Sequence, residues 1–133
     1  MRLPIQINEQ SAEPLYHQIE VQLRALIVSG QLEEGALLPS IRELAQAVKC
    51  SVITVKRVYS DLENEGLLRT RQGTGTYVAK VGEQERDRHK YAAVIDALEQ
   101  AVSTGKRMQC TEAELQELFQ EAIRHHYKPG GDS

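Results

Sequence analysis

The residues whose types and spacing could do chemistry fall in two adjacent groups: Ile53, Thr54, Lys56, Arg57, Ser60 and Asn64, then Arg69, Arg71, Gln72, Gly73, Thr74 and Gly75. The first group is interleaved with Val55, Val58, Tyr59 and Leu62, whose i, i+3, i+4, i+7 spacing marks the buried stripe of a helix expected over Ser51 to Glu65. The outward face of that helix combines cations, hydroxyls and one isoleucine near its N-terminus. Cations meet phosphates, and hydroxyls and amides meet base edges, so the chemistry implied is recognition of a nucleic acid rather than bond-making. In the second group, Arg69 and Arg71 lead into a tip where two glycines permit positive φ and let the backbone approach a partner closely.

Catalysis and metal binding find little to work with. No carboxylate pair, nucleophile–histidine grouping or phosphate-loop signature stands out, and no enzymatic activity and no cofactor are expected. His125 and His126 are adjacent and therefore project about 100° apart on a helix, which denies them a shared metal-binding face. Cys50 and Cys110 lack metal-type spacing and read as reduced thiols, Cys50 lying between helices.

The elements that position these residues follow from local signals. Pro14 suits the first position of a helix whose apolar face is Leu15, Ile19, Leu23, Leu26 and Ile27 and which ends at Gly30; residues 3 to 8 are either a short edge strand or an arm. A connector, Gln31 to Pro39, turns at Gly35, and Ala36 to Leu38 can pair with a later hairpin. Ser40 and Glu43 form a capping box that starts a short second helix, with Ile41, Leu44, Ala45 and Val48 on one face and Arg42 on the outer side. Lys49 and Cys50 make the turn, and Ser51 caps the next helix by accepting from the amide of Thr54. Two capped helices joined by so short a turn are a helix-turn-helix pattern. Gly66 then stops the third helix, and strands at Leu67 to Arg71 and Thr76 to Lys80 flank the glycine-tipped turn.

Beyond Val81 the composition shifts to long, charged helix formers. Tyr91, Val94, Ile95, Leu98 and Val102 fall at helical spacing in a helix expected over Glu83 to Thr104 and ending near Gly105. Thr111 and Glu114 form a second capping box, opening a helix with Leu115, Leu118, Phe119, Ala122 and Ile123 on one side. Each helix of this hairpin has one apolar stripe, so the surface left over should meet the first module or a second copy. Lys128 to Ser133 is expected to be a frayed tail. The fold class is thus mainly α with a small β wing: a winged helix-turn-helix domain over residues 1–80, followed by a helical hairpin over residues 81–133.

The bulk numbers fit this division. The chain has 133 residues, 41% hydrophobic and only 5% aromatic, without tryptophan, which disfavours a large aromatic-lined pocket. Neither a signal peptide nor a membrane-spanning run is apparent, which places the chain in the cytoplasm and away from membranes. The formal charge of −3 divides unevenly: residues 1–34 hold two Lys/Arg against five Asp/Glu, residues 35–80 seven against four, and residues 81–133 seven against ten. Only the middle block is basic. Local field rather than net charge governs phosphate binding, so acidic flanks are compatible with a nucleic-acid partner.

Pro14 to Val78 resembles the winged-helix domain of the GntR family of bacterial transcription regulators. The resemblance is carried by LPSIRELA (Leu38 to Ala45), SVITVKRVYSDLENEGLL (Ser51 to Leu68) and RQGTGTYV (Arg71 to Val78). The short helical tail resembles that of the YtrA subfamily, in which it serves dimerisation. What the resemblance implies is a homodimeric, sequence-specific DNA-binding regulator, a repressor, bound to an inverted-repeat operator in double-stranded DNA. It further implies DNA contact from Arg42, from Ser51, Val52, Ile53, Thr54, Lys56 and Arg57, and from Gln72, Gly73 and Thr74, with Arg71 and Gly75 completing the wing. Many relatives have an arginine or polar residue where this chain has Val52 and Ile53, and aliphatic side chains there suit thymine methyls. Dimer contacts fall to Tyr91, Ile95, Leu98, Val102, Leu115, Leu118, Phe119 and Ile123. A reading of a different class is a winged-helix protein-interaction module without direct DNA reading. A small-molecule effector has no signature in the sequence.

Overall fold

The computed structural model describes residues 3–127 and holds seven elements in the order α1 (Leu15–Val28), α2 (Ile41–Val48), α3 (Val52–Asn64), β1 (Leu68–Arg71), β2 (Gly75–Val78), α4 (Glu83–Arg107) and α5 (Glu112–His126). Lys128 to Ser133 lie outside the described residues, and with them the tail. Two compact units divide between Lys90 and Tyr91, inside α4 rather than at its start.

The first unit is built on one core. Ile19, Leu23 and Ile27 of α1, Val55, Val58 and Leu62 of α3, and Leu67 and Leu68 are essentially closed to solvent. These are the stripes that helical spacing singled out, and α3 is the shared partner of α1, α2 and β1. An eight-residue helix such as α2 has too few turns to persist alone, so its packing on α3 is what maintains it. Val81 also packs against this core.

Two local features differ from the pattern read off the chain, and a third, left open there, is decided. Pro14 stands at the N-cap, outside α1, where its carbonyl accepts from the amides of His17 and Gln18. The wing strands begin and end within a residue or two of the expected limits, and pair antiparallel with Arg69 opposite Tyr77 and Arg71 opposite Gly75. Residues 3–8 form an arm and not a strand. Its Leu3, Ile5 and Ile7 turn inward, while Gln22 and Gln18, one turn apart on α1, each clasp both backbone groups of an arm residue. Gln22 accepts from the Gln6 amide at 2.9 Å and donates to its carbonyl at 2.6 Å, and Gln18 does the same for Asn8 at 2.8 and 3.2 Å. Side-chain amides thus do the work that a neighbouring strand would have done.

The second unit consists of most of α4 with α5. Gly105 does not end α4; the helix runs on to Arg107 and stops because Gln109 takes a left-handed conformation, φ 64°. Gly105 lies where the two helices approach: a Cβ there would sit 2.5 Å from Leu115 Cδ2. The missing side chain makes room for Leu115. No described helix is long and apolar enough to cross a membrane.

Candidate nucleic-acid interface

The helix-turn-helix is fixed by a side-chain cap at the N-terminus of each of its helices. Ser40 Oγ accepts from the Glu43 amide at 3.1 Å while the Glu43 carboxylate accepts from the Ser40 amide at 2.8 Å. The hydrogen bonds that the Glu43 carboxylate accepts from Ser40, first from the amide and then from the side chain, hold it below the usual carboxylate range. The turn places Lys49 in a left-handed conformation, φ 56°, unusual for a residue with a side chain. Cys50 is half-buried and burial pushes its thiol up, so it is a poor nucleophile. Ser51 Oγ accepts from the Thr54 amide at 3.1 Å and lies 2.8 Å from the Thr54 hydroxyl. The expected cap is therefore present, with a second hydroxyl bound into it.

From that cap α3 presents an open surface. Val52, Lys56 and Arg57 are exposed and Ile53 is 79% exposed, an unusual position for an isoleucine in a small domain with a closed core. Arg42 is exposed on α2. The buried side is secured by Tyr59, whose hydroxyl donates to the Pro39 carbonyl at 2.7 Å, tying the helix to the connector; burial holds this phenol neutral well beyond its ordinary range.

A polar ladder joins α1 to α3 along the seam between them. Its rungs are one helical turn apart: Tyr16 with Arg57, Glu20 with Asp61, and Arg24 with Glu65. The Arg57 guanidinium lies 3.8 Å from the centre of the Tyr16 ring. Glu20 is buried, and its carboxyl is pushed above the usual range first by that burial and then by the neighbouring Asp61 carboxyl. Arg24 makes a bidentate pair with Glu65 at 2.9 and 2.7 Å, the bond that raises its own pKa. Sequence periodicity marked the apolar stripes of both helices and missed this ladder. The signal was present as Tyr, Glu and Arg at i, i+4 and i+8 of α1, matched by Arg57 and Asp61 of α3 and Glu65 at its C-cap, at the same spacing.

The wing is attached to α3 directly. The Glu63 carboxylate accepts from the Thr70 amide at 3.1 Å. On the other side the connector adds to the hairpin as expected: Leu38 N–H donates to the Thr76 carbonyl and Val78 N–H to the Ala36 carbonyl, both at 2.9 Å. Arg71, Gln72, Gly73 and Thr74 are exposed at the tip, with the Thr74 amide donating to the Arg71 carbonyl at 3.1 Å. Gly75 is half-buried and has φ 133°, and a Cβ on it would stand 2.9 Å from Leu37 Cδ1. Its glycine is favoured by the backbone conformation, before any partner is considered; the exposed Leu37 side chain could move aside.

The charges of this block are unequal in number. All seven cations of residues 35–80, namely Arg42, Lys49, Lys56, Arg57, Arg69, Arg71 and Lys80, are exposed. Its four carboxylates are all engaged within the protein: Glu43 in its cap, Glu63 on β1, Glu65 with Arg24, and Asp61 with Glu20 and, at 4.0 Å, with Arg57. Glu43, Glu63 and Glu65 are themselves exposed, so the positive character of this block is an excess of seven cations over four acids, with the Glu65 charge met by Arg24 and Asp61 lying 4.0 Å from Arg57. Among the described residues no group of three or more His, Cys, Asp or Glu could hold a metal ion.

The eight tail positions behave differently. Tyr91, Ile95, Leu98, Val102, Leu118, Phe119 and Ile123 are exposed, as is Val94; Leu115 is half-buried, against Gly105.

Comparison with known proteins matches residues 15–78 to the family described as bacterial regulatory proteins, gntR family. The HTH-type transcriptional repressor YtrA of Bacillus subtilis is 35% identical over 98 residues, which is 74% of this chain and 75% of that protein. Among solved structures, YtrA from Sulfolobus acidocaldarius, a GntR-family transcription factor, superposes with TM-score 0.55 at 32% identity, covering 69% of this chain and 97% of that one. AraR(DBD) in complex with its operator ORX1 superposes with TM-score 0.52 at 28% identity, covering 59% and 99%.

Proposed function

From the premise that the chain belongs to the gntR family, as a DNA-binding transcription regulator and not an enzyme, we propose that it is a homodimeric, cytoplasmic repressor of an inverted-repeat operator. The YtrA relative is a repressor by name, and the AraR domain holds its operator in the solved complex; both support the reading by likeness. The observation that carries it is the exposed surface of α3 and the wing: seven exposed cations against four acids across residues 35–80, and a bare aliphatic N-terminal turn on α3. On this reading α3 enters the major groove, with Val52 and Ile53 against thymine methyls and Ser51, Thr54, Lys56 and Arg42 on phosphates and base edges. The wing tip, Arg71 to Gly75, lies against the backbone alongside. Repression needs only occupancy of a promoter, so no reacting group is required.

The domain over residues 1–80 supplies recognition and residues 81–133 supply symmetry. Two copies joined through α4 and α5 present two α3 helices, and a two-fold protein calls for a two-fold site with half-sites about 34–36 Å apart. The exposed apolar stripes of α4 and α5 support that role. The test is binding of the full chain to duplexes selected from a random pool, measured across salt. A repressor contacting several phosphates loses affinity steeply with salt, by about 0.9 in log K per log salt for each phosphate. Selected sites should be palindromic. Salt-independent binding, or selection of sites without two-fold symmetry, would overturn the proposal.

A further inference from the structure

We infer that Tyr16 is a positioning residue for DNA binding, holding the Arg57 guanidinium over the α1–α3 seam as a clamp for a backbone phosphate. The inference rests on the reading of α3 given above. An arginine on an exposed helix face ordinarily samples many rotamers and loses that freedom on binding. Arg57 is different: its guanidinium lies 3.8 Å from the Tyr16 ring centre, and its Nε is 4.0 Å from the Asp61 carboxylate. Ring and carboxylate come from different helices, so the cation is steadied from two directions while 58% of the side chain remains open. The ring is steadied in turn, since Tyr16 is half-buried against the core and the bidentate Arg24–Glu65 pair ties α1 to the end of α3.

The placement selects phosphate over base. A guanidinium resting on a ring of α1 sits at the flank of α3, where the strands border an inserted helix; presenting its fork to a base edge would require leaving both Tyr16 and Asp61. Arg57 therefore contributes affinity without sequence preference, and Ile53, one turn earlier on the same face, is left to discriminate.

The experiment is equilibrium binding of the full chain, across salt, to a duplex selected from a random pool and to an unrelated duplex. Wild type is compared with Tyr16→Phe, Tyr16→Leu, Arg57→Ala and the double variant Tyr16→Leu/Arg57→Ala. Arg57→Ala should weaken both duplexes by a similar factor, about ten-fold, and reduce the salt slope by about one. Tyr16→Leu should weaken both by about two- to five-fold, Tyr16→Phe should match wild type, and the double variant should bind no more weakly than Arg57→Ala alone. Equal extra weakening by Tyr16→Leu in the Arg57→Ala background overturns the inference, as does a change in preference between the duplexes on Arg57→Ala. A second readout needs no DNA: the Arg57 Nε–H resonance should shift on Tyr16→Leu as the ring current is lost, and an unmoved resonance also overturns it. If wild type binds no duplex, the functional reading fails and this fails with it; if wild type binds and Arg57→Ala changes nothing, only this fails.

Discussion

The two compact units use the same helical vocabulary and end in opposite states. In the first, α1, α3 and β1 close a core whose large side chains, Ile19, Leu23, Val55 and Leu62, are wholly out of solvent. In the second, the one buried residue of α4 is a glycine and α5 buries none, while Ile95, Leu98, Phe119 and Ile123 stay open. Both units have correct capping boxes, at Ser40 and at Thr111, so the contrast does not come from helix-forming signals. It comes from partners: the first unit supplies its own third layer, and the second has two stripes and nothing within it to cover them. A unit that satisfies itself can recognise a ligand, whereas one left unsatisfied can join copies.

The contrast can be broken by mutation, most severely in the core. Leu62→Ala should cost the first unit about 2–5 kcal/mol in denaturant unfolding, with self-association of the remaining folded chain unchanged. A charge in the open stripe should do the reverse. Leu98→Asp is expected to weaken self-association by roughly thirty-fold or more in sedimentation, about 2 kcal/mol, while the unfolding midpoint of the first unit at low concentration stays put. Equivalent caps then sharpen the comparison. Ser40→Ala should remove about 1 kcal/mol from the first unit at any concentration, whereas Thr111→Ala should lower helix content in a concentration-dependent way.

The smallest effect is in pH. The folded first unit holds a proton on Glu20 that the unfolded chain has released, because burial and Asp61 raise the carboxyl above its ordinary value. Stability therefore falls as pH rises through the interval from that ordinary value to the raised one, and the penalty persists at neutrality. Glu20→Gln should raise the unfolding midpoint near pH 7 and make no difference below the ordinary carboxylate range.

What was legible in the chain was local. Ser40 with Glu43, Thr111 with Glu114, Ser51 as a cap and the stripe Val55, Val58, Tyr59, Leu62 are encoded within a few residues, and the structure contains each of them. Residues 3–8 stayed undecided because their fate depends on Gln18 and Gln22, two side chains on another element. Gly105 read as a helix end because glycine commonly is one; that it faces Leu115 is a fact of packing between helices. The same limit hid Tyr16 under Arg57 and Glu63 on the wing. Periodicity reports which side of a helix is apolar and is silent about which polar residues meet across the seam.

The most direct measurement is a backbone-amide and methyl NMR titration of the full chain with a selected duplex. The expected result is shifts concentrated at Ser51 to Arg57, Arg42 and Arg71 to Gly75, with the Ile53 methyls among the largest. Saturable binding whose shifts fall on α4 and α5 while Ile53 stays still would contradict the assignment of α3 as the reading helix.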